Sequence, residues 1–528
     1  MLKRDITRVH VLIASAGGMV GSGWLFSPYI SAQIAGPNAL ISWALAAFFM
    51  IFIALPLCEL GTMFPVSGGM TNYPSFTHGH KVGFLFAWIS WLSYVVMTPI
   101  EIQAIMQYTS WLFPSLIADS TAALGLSPIG YVVAISIMAF VVVLNLFGIK
   151  MLAYCNTYAS IVKYIMPIIA IVTLIYLNPT AKNIELSLFK PTTWSHIFSA
   201  LSIGGIAFAF TGFQNGLMLA GEVKNPKADI PIAILGSICI AFTLYFLLQW
   251  SFLVAVPIKY LQNGWSNLSF PGQNSPLVGL SMLVGLSWVA TLLMFDAILS
   301  PFGTGLIYTA ATSRIVYGMA MNNHIPRWFA AENRFQIPYV TLIANFLVGA
   351  FSFLPFPGWQ KMVAFLSSCS ILSYGIGPIC LLAMRKLQPN RVRPFKLYAA
   401  KIICYSAFYF CNLMLYWCSF EILWKLNLAI LIGYIVNAAC HQENIFKFEP
   451  SVYWFAGYMF LLLALSYVGT FGGIGVLKFP WDIASLLPFS ILILYSSQLV
   501  LVKKYVNMGE EEITDYVDPK LSSKVGAC

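Results

Sequence analysis

Three charged residues lie inside long apolar stretches of the chain: Glu101, Lys163 and Asp296. A charge at the centre of a lipid bilayer costs at least about 2.5 kcal/mol, so each of them needs a physical reason to be there. A lysine amine in such surroundings can bind and release a proton, or it can serve as a permanently charged structural cation. Glu101 and Asp296 can relay protons, balance the charge of Lys163, or act as hydrogen-bonded structural acids.

A cluster of glycines interrupts the first apolar stretch. Four glycines and a serine fall between Gly17 and Gly23, and Pro28 follows. Each glycine costs about 1 kcal/mol relative to alanine in a continuous helix. Small residues also allow close helix packing, but four glycines within seven residues favour an unwound stretch. Such a stretch leaves backbone amides and carbonyls free to bind a ligand.

A second cluster interrupts the sixth apolar stretch, with Gly204, Gly205, Gly212 and Gly216 among polar residues. Within a membrane, backbone departs from helical geometry only where it is buried in protein or lines a watery cavity. Interrupted spans at corresponding places in two halves of a chain are typical of a transporter's binding site. We therefore predict a ligand site where the two interruptions meet.

The elements that must position these residues are membrane-spanning helices. The chain has 528 residues, of which 59% are hydrophobic and only 9% are charged, whereas soluble proteins average about 25% charged. The first apolar stretch is too long for a cleavable signal and is expected to remain. Apolar segments, numbered 1 to 14 in chain order, are centred near residues 21, 50, 97, 138, 165, 208, 244, 300, 347, 372, 409, 430, 463 and 493. We expect an all-α polytopic membrane protein with about fourteen transmembrane helices.

The positive charges predict the orientation of these helices. The net charge is +10, and the loops and tails on the side of the N terminus hold 21 of the 28 Lys and Arg residues. Six lie in loops of the other side, and only Lys163 lies within a span. Because positive charges concentrate in cytoplasmic loops, both termini are expected in the cytoplasm. This distribution explains the net charge without any nucleic acid partner.

Five spans separate the start of segment 1 from the start of segment 6, and because five is odd the two segments enter the membrane from opposite sides. We therefore predict two inverted repeats, residues 1–178 and 179–396, each with five helices and a broken first helix. Residues 397–503 would add four accessory helices, and residues 504–528 would form a polar cytoplasmic tail. The ten cysteines and six histidines show no metal-ligand spacing. No enzyme motif such as H-E-x-x-H or G-x-S-x-G is present, so we expect no cofactor, no metal and no enzyme activity.

Several motifs resemble those of the amino acid–polyamine–organocation transporter superfamily. They are the glycine run from Gly21 to Phe26, a P-x-S-G-G-x-x-x-Y pattern ending at Tyr73, the run from Phe210 to Phe213, an N-P-x-x-x-I-P pattern from Asn225 to Pro231, and the stretch from Arg314 to Pro326. Together they cover roughly the first 390 residues. The resemblance implies the fold named after the bacterial leucine transporter, with a five-plus-five inverted repeat and broken helices 1 and 6.

The resemblance also implies a binding site for an amino acid. Its carboxylate would bind the amides of Gly21, Ser22 and Gly23, where the partial positive charge of a helix N terminus lies. Its ammonium would face the carbonyls of Met19, Phe208 and Thr211 beside Gly212. Aromatic lining or gating residues would be Phe213, Tyr94 and Tyr308.

Two further positions bear on what drives transport. Lys163 matches a position where proton-coupled relatives of the family place a lysine ammonium in the space that holds sodium in sodium-coupled ones. Gln214 stands where many members carry an acid, and an amide cannot titrate. We expect proton-coupled amino acid symport; exchange without ion coupling and a receptor that does not transport remain alternatives. The sequence leaves the identity of the amino acid and the oligomeric state open.

Overall fold

A computed structural model describes residues 4–66, 68–118, 125–147, 163–176, 194–441 and 450–501. Within these ranges the regular structure is helical, and each of the fourteen predicted segments coincides with helix or with a break between helices. Segments 1 to 7 comprise Arg8–Met19 and Gly23–Ala35; Ala39–Met63; His80–Val95 and Met97–Thr109; Pro128–Leu146; Lys163–Tyr176; Trp194–Ser202, Ile206–Ala209 and Asn215–Met218; and Pro226–Ala255. Segments 8 to 14 comprise Ser287–Met321; Tyr339–Ser352; Trp359–Tyr374 and Ile376–Leu387; Ala400–Tyr416; Phe420–Cys440; Pro450–Val468; and Trp481–Ser497. The all-α membrane architecture is confirmed.

The helices are apolar on their outer as well as their inner faces. On segment 4, Val132 and Phe140 are more than half exposed at the surface of the bundle, while Ala134 and Met138 are buried. A helix with apolar side chains all round belongs in lipid rather than in water. Eight helical runs within the described ranges are long and apolar enough to cross a bilayer, and shorter apolar helices accompany them.

The centre of the bundle brings segments 1, 2, 3, 6, 7, 8 and 10 together. Segment 7 packs on segments 1 and 2, segment 8 packs on segment 3, and segment 10 packs on segments 3 and 11. The first half of segment 6 packs on the second half of segment 1. This arrangement places the two interrupted segments beside each other and surrounds them with five others.

Both predicted interruptions are present. Segment 1 leaves helical geometry at Val20, where φ is −88° and ψ is 83°, and resumes at Gly23. Segment 6 has helical turns up to Ala209 and again from Asn215, with Gly212 between them at φ +132°. Only glycine adopts that backbone conformation without strain.

The two interruptions touch backbone to backbone. A Cβ atom built on Gly212 would lie 2.4 Å from the carbonyl carbon of Gly18 and 2.6 Å from the amide nitrogen of Met19. A Cβ atom on Gly18 would in turn lie 3.4 Å from the Cα atom of Gly212. Glycine at both places is therefore required for the close approach of segments 1 and 6.

The face of the bundle at which the chain enters segment 1 is here called the N-terminal side. Three histidines cluster there, at the ends of segments 3, 8 and 12. The ring centroid of His80 lies 4.2 Å from that of His324 and 6.0 Å from that of His441. Burial, together with the two neighbouring imidazoles, lowers the pKa of His324 to about 3. His324 is therefore neutral at physiological pH.

The division into inverted repeats and accessory helices stays a prediction. Segment 11 packs on segments 2, 10 and 14, and segment 12 packs on segments 3 and 10. The polar tail from residue 504 lies outside the described residues.

Candidate functional site

The first half of segment 1 ends in two carbonyls whose helical partners are missing because the helix stops. Gly18 O accepts a hydrogen bond from the Tyr308 hydroxyl at 3.2 Å, and Met19 O accepts one from the Tyr245 hydroxyl at 2.8 Å. Buried polar groups need such partners, and each net bond is worth about 1 kcal/mol. Two tyrosines from segments 8 and 7 therefore stabilise the break.

The second half of segment 1 begins with an amide that binds a carboxylate. The Ser22 N–H donates to both carboxylate oxygens of Glu101, with N–O distances of 3.0 Å to Oε2 and 3.2 Å to Oε1. Glu101 is fully buried. A negative group at a helix N terminus is favoured by the free N–H donors and by the helix dipole. The predicted anion site is thus occupied by a side chain of segment 3.

Aromatic side chains cover this amide on the side of the bundle opposite the N-terminal side. The Trp359 indole N–H donates to Ser22 Oγ at 2.9 Å. Its ring centroid lies 4.8 Å from that of Phe26 and 5.8 Å from that of Phe208, to which it is nearly perpendicular. The Phe208 ring packs directly on Gly23, where a Cβ atom would lie 3.1 Å from it. Phe208 and Trp359 together close the break from this side.

The break in segment 6 is stabilised by its own side chains. Phe208 O accepts hydrogen bonds from the Thr211 amide at 2.8 Å and the Thr211 hydroxyl at 2.7 Å. Gln214 Oε1 accepts from the Gly212 N–H and from the Tyr374 hydroxyl, both at 2.8 Å. The Phe213 ring lies 4.8 Å from that of Tyr374. Gln214 therefore supports the local backbone, a role that needs an acceptor oxygen but no charge.

Two tyrosines lie beside the break toward the N-terminal side. The ring centroids of Tyr94 and Tyr308 are 5.4 Å apart. The Tyr94 hydroxyl donates to Asn215 Oδ1 at 3.1 Å. Together with the contact between Tyr308 and Gly18, these bonds link segments 3, 6, 8 and 1.

The three buried charges belong to one electrostatic group. The Lys163 ammonium donates to Thr304 Oγ1 at 2.6 Å and interacts electrostatically with both Glu101 and Asp296. The Thr304 methyl group lies next to Gly21, 3.5 Å from where a Cβ atom would be. Neither carboxylate oxygen of Asp296 has a hydrogen-bond partner, although the residue is fully buried. Lys163, Glu101 and the Ser22 amide thus lie beside the same break, and Asp296 is linked to them through its interaction with Lys163.

The sequence is similar to transporters along nearly its whole length. Residues 6–436 match the amino acid permease family model. The chain is 32% identical over 504 residues to the glutamate/serine transporter AimA of Bacillus subtilis, covering 93% of each chain. It is also 32% identical over 501 residues to an aspartate–proton symporter of Bacillus subtilis, covering 93% of this chain and 96% of that protein.

The chain belongs to the amino acid permease family. A more distant relative, the branched-chain amino acid permease BcaP of Bacillus subtilis, is 25% identical over 457 residues. This permease is accordingly a multi-pass membrane protein that transports amino acids.

The predicted site residues of the permease lie around the two breaks. All of the predicted binding residues come together there: Met19, Gly21, Ser22, Gly23, Tyr94, Phe208, Thr211, Gly212, Phe213, Gln214 and Tyr308. Their roles in binding stay predictions. Sequence reasoning missed four residues that contact them directly: Asn215, Tyr245, Trp359 and Tyr374. Asn215 lies within the second glycine cluster, between Gly212 and Gly216, and could have been included on position alone.

Proposed function

We propose that this permease carries an amino acid together with a proton, in symport, through a site between the breaks of segments 1 and 6. The observation that supports this most strongly is the helix N terminus at Ser22, whose amide binds a carboxylate. The α-carboxylate of a substrate offers the same chemistry. The Gly23 amide is next to it in the chain, and the Gly21 amide, which donates to the Met19 carbonyl at 3.2 Å, would exchange that partner to join the proposed anion site.

The ammonium group of the substrate binds the carbonyls of Met19, Phe208 and Thr211 in this proposal. The Met19 carbonyl already accepts hydrogen bonds from the Gly21 amide and the Tyr245 hydroxyl, and the Phe208 carbonyl accepts two from Thr211. A carbonyl oxygen has two lone pairs, so the substrate ammonium would replace one of these donors at each carbonyl. In this proposal main-chain groups bind the carboxylate and ammonium of the zwitterion, which are the same in every amino acid whatever its side chain.

The relatives narrow the proposed substrates. Two proteins aligned over more than nine-tenths of this chain are named for aspartate and for glutamate and serine. We infer that the substrate is a small polar or acidic amino acid of this kind. Gln214 is consistent with this substrate class, because a substrate with a cationic side chain would find no acidic counter-charge at that position.

Proton coupling is assigned to the group of Lys163, Glu101 and Asp296. Glu101 binds the Ser22 amide, Lys163 reaches the break through Thr304, and Asp296 interacts with Lys163, so a proton bound by this group changes the charge beside the proposed substrate site. Lys163 either cycles a proton or remains a fixed cation in the same position. The proposed orientation has both termini in the cytoplasm, from the excess of Lys and Arg in the loops on that side.

Uptake into proteoliposomes tests the proposal. We expect radiolabelled L-aspartate, L-glutamate or L-serine to accumulate in empty vesicles when the interior is alkaline, and a protonophore to abolish accumulation. Uptake that needs vesicles preloaded with amino acid would favour exchange. Thermal stabilisation by an amino acid without any flux would favour a receptor. Screening a panel of amino acids for stabilisation identifies the substrate first.

A further inference from the structure

We infer that Glu101 is an internal competitor for the substrate carboxylate, and that its protonation frees the Ser22 amide for the substrate. This inference rests on the proposed function, because it assumes that the substrate carboxylate binds at the start of the second half of segment 1. It assigns the substrate-linked proton to one named group.

The geometry leaves room for one carboxylate at this place. Both oxygens of Glu101 lie within 3.2 Å of the Ser22 nitrogen. Glu101 Oε1 also fills the space over Gly21, since a Cβ atom on that residue would lie 2.5 Å from it. A second carboxylate at the same amide would place two negative charges a few ångströms apart in a medium of low dielectric constant, which is strongly unfavourable.

Protonation weakens the hold of Glu101 on the amide. A hydrogen bond from an N–H group to a carboxylate is roughly twice as strong as one to a neutral acceptor. A helix N terminus also favours a negative charge over a neutral group. When Glu101 binds a proton, its advantage at the amide is lost, and the carboxylate of the substrate takes its place.

Several ionisable groups face Glu101, and the substrate-linked proton is assigned to Glu101 because it alone among them binds the Ser22 amide. Segment 5 contributes Lys163, segment 7 contributes Tyr245, and segment 8 contributes Tyr308 together with Asp296, which acts through Lys163. Lys163 hydrogen-bonds to the neutral hydroxyl of Thr304, and in this inference it stays a fixed cation. The proton enters from the solvent on the side where the substrate enters and leaves on the other side with the substrate.

The dependence of substrate affinity on pH tests the inference. With L-aspartate, L-glutamate or L-serine as the probe, the wild-type Kd should rise by about tenfold per pH unit on the alkaline side, because one proton is bound for each substrate. In Glu101→Gln the Kd should be independent of pH and equal to the tight, acidic value of the wild type. Glu101→Asp keeps the titrating group but shortens its reach by one methylene, so its Kd at alkaline pH should fall below that of the wild type.

A second test uses only the wild-type protein, so it does not depend on whether a variant folds. Adding substrate to the purified protein in weakly buffered alkaline solution should take up about one proton per substrate bound. No proton uptake on binding overturns the inference. A Glu101→Gln protein that keeps the wild-type dependence on pH overturns it as well, and assigns the proton to Lys163 or Asp296.

A modified substrate separates failure of this inference from failure of the proposed function. The α-amide of the same amino acid lacks the carboxylate, so we expect it not to bind. If the α-amide binds as tightly as the acid, the proposed carboxylate site is wrong. If only the acid binds but Glu101→Gln binds it more weakly than the wild type at every pH, Glu101 is a structural acid and does not compete with the substrate carboxylate.

Discussion

The backbone contact between the two breaks makes Gly212→Ala a severe substitution. Gly212 has a φ of +132°, a region that costs other residues about 1–3 kcal/mol. The new methyl carbon would lie 2.4 Å from Gly18 C. Ordinary contact begins near 3.4 Å, so segments 1 and 6 would have to separate by about 1 Å. Overpacking of this kind typically costs a further 1–3 kcal/mol or so.

The expected result is loss of transport with the protein still inserted in the membrane. Displacing binding groups by about 1 Å can lower activity roughly a hundredfold, so we expect uptake of the identified substrate to fall by at least about tenfold. Uptake into proteoliposomes and thermal melting in detergent measure activity and stability separately. The melting temperature should fall because the strain is present without substrate.

Gly318→Ala is the matched control. Gly318 lies in the helix of segment 8, and nothing lies within 4 Å of a Cβ atom built there. Alanine is favoured over glycine in a helix by up to about 1 kcal/mol, so this variant should transport normally and melt no lower than the wild type. Near-normal transport by Gly212→Ala would refute the reasoning, because the close contact of the two breaks would then be dispensable.

Other substitutions test separate parts of the site. Lys163→Ala removes the cation that faces Glu101 and Asp296, so it should abolish accumulation driven by a pH gradient in proteoliposomes; unchanged accumulation would exclude Lys163 from coupling both as a proton carrier and as a fixed cation. Tyr245→Phe removes the 2.8 Å hydrogen bond to the Met19 carbonyl, which keeps only the Gly21 amide as a donor, and should destabilise the protein by about 1 kcal/mol, seen as a lower melting temperature. Gln214→Glu keeps the acceptor oxygen for the Gly212 amide and should retain more transport than Gln214→Ala; equal loss in both would show that the amide itself is needed.

The histidine cluster gives an expected dependence of stability on pH. The pKa of His324 is about 3 in the folded protein, below the ordinary value of about 6.5. The unfolded chain therefore binds more protons below pH 6.5, so the contribution of His324 to stability is present above that pH and is lost progressively as the pH falls toward 3. The melting temperature should fall less between pH 7 and pH 5 in His324→Gln than in the wild type. If both fall equally, groups other than His324 cause the loss of stability at low pH.

The breaks could be predicted from sequence because their cause is local. Glycines at Gly17 to Gly23 and at Gly212 raise the cost of a helix wherever they occur, and a lipid environment requires compensation nearby. The apolar pattern likewise predicted the number and position of the segments, since each span must cover the same thickness of lipid.

The partners of the breaks could not be predicted because they come from distant segments. Trp359 and Tyr245 reach segment 1 only through the packing of segments 10 and 7 around it. From the sequence, Gln214 is an amide that cannot titrate and stands where many members of the superfamily carry an acid, and nothing there indicates that its side chain binds the Gly212 amide and the Tyr374 hydroxyl. The sequence left Glu101 as a proton relay, a counter-charge for Lys163 or a structural acid, and nothing in its position indicated that it would bind Ser22.

An experimental structure of the permease with L-aspartate, L-glutamate or L-serine bound, chosen by thermal stabilisation, tests the central claim most directly. We expect the α-carboxylate on the Ser22 amide, the ammonium group at the carbonyls of segments 1 and 6, and Glu101 turned away from segment 1. A substrate bound elsewhere in the bundle, with Glu101 still on the Ser22 amide, would contradict the account.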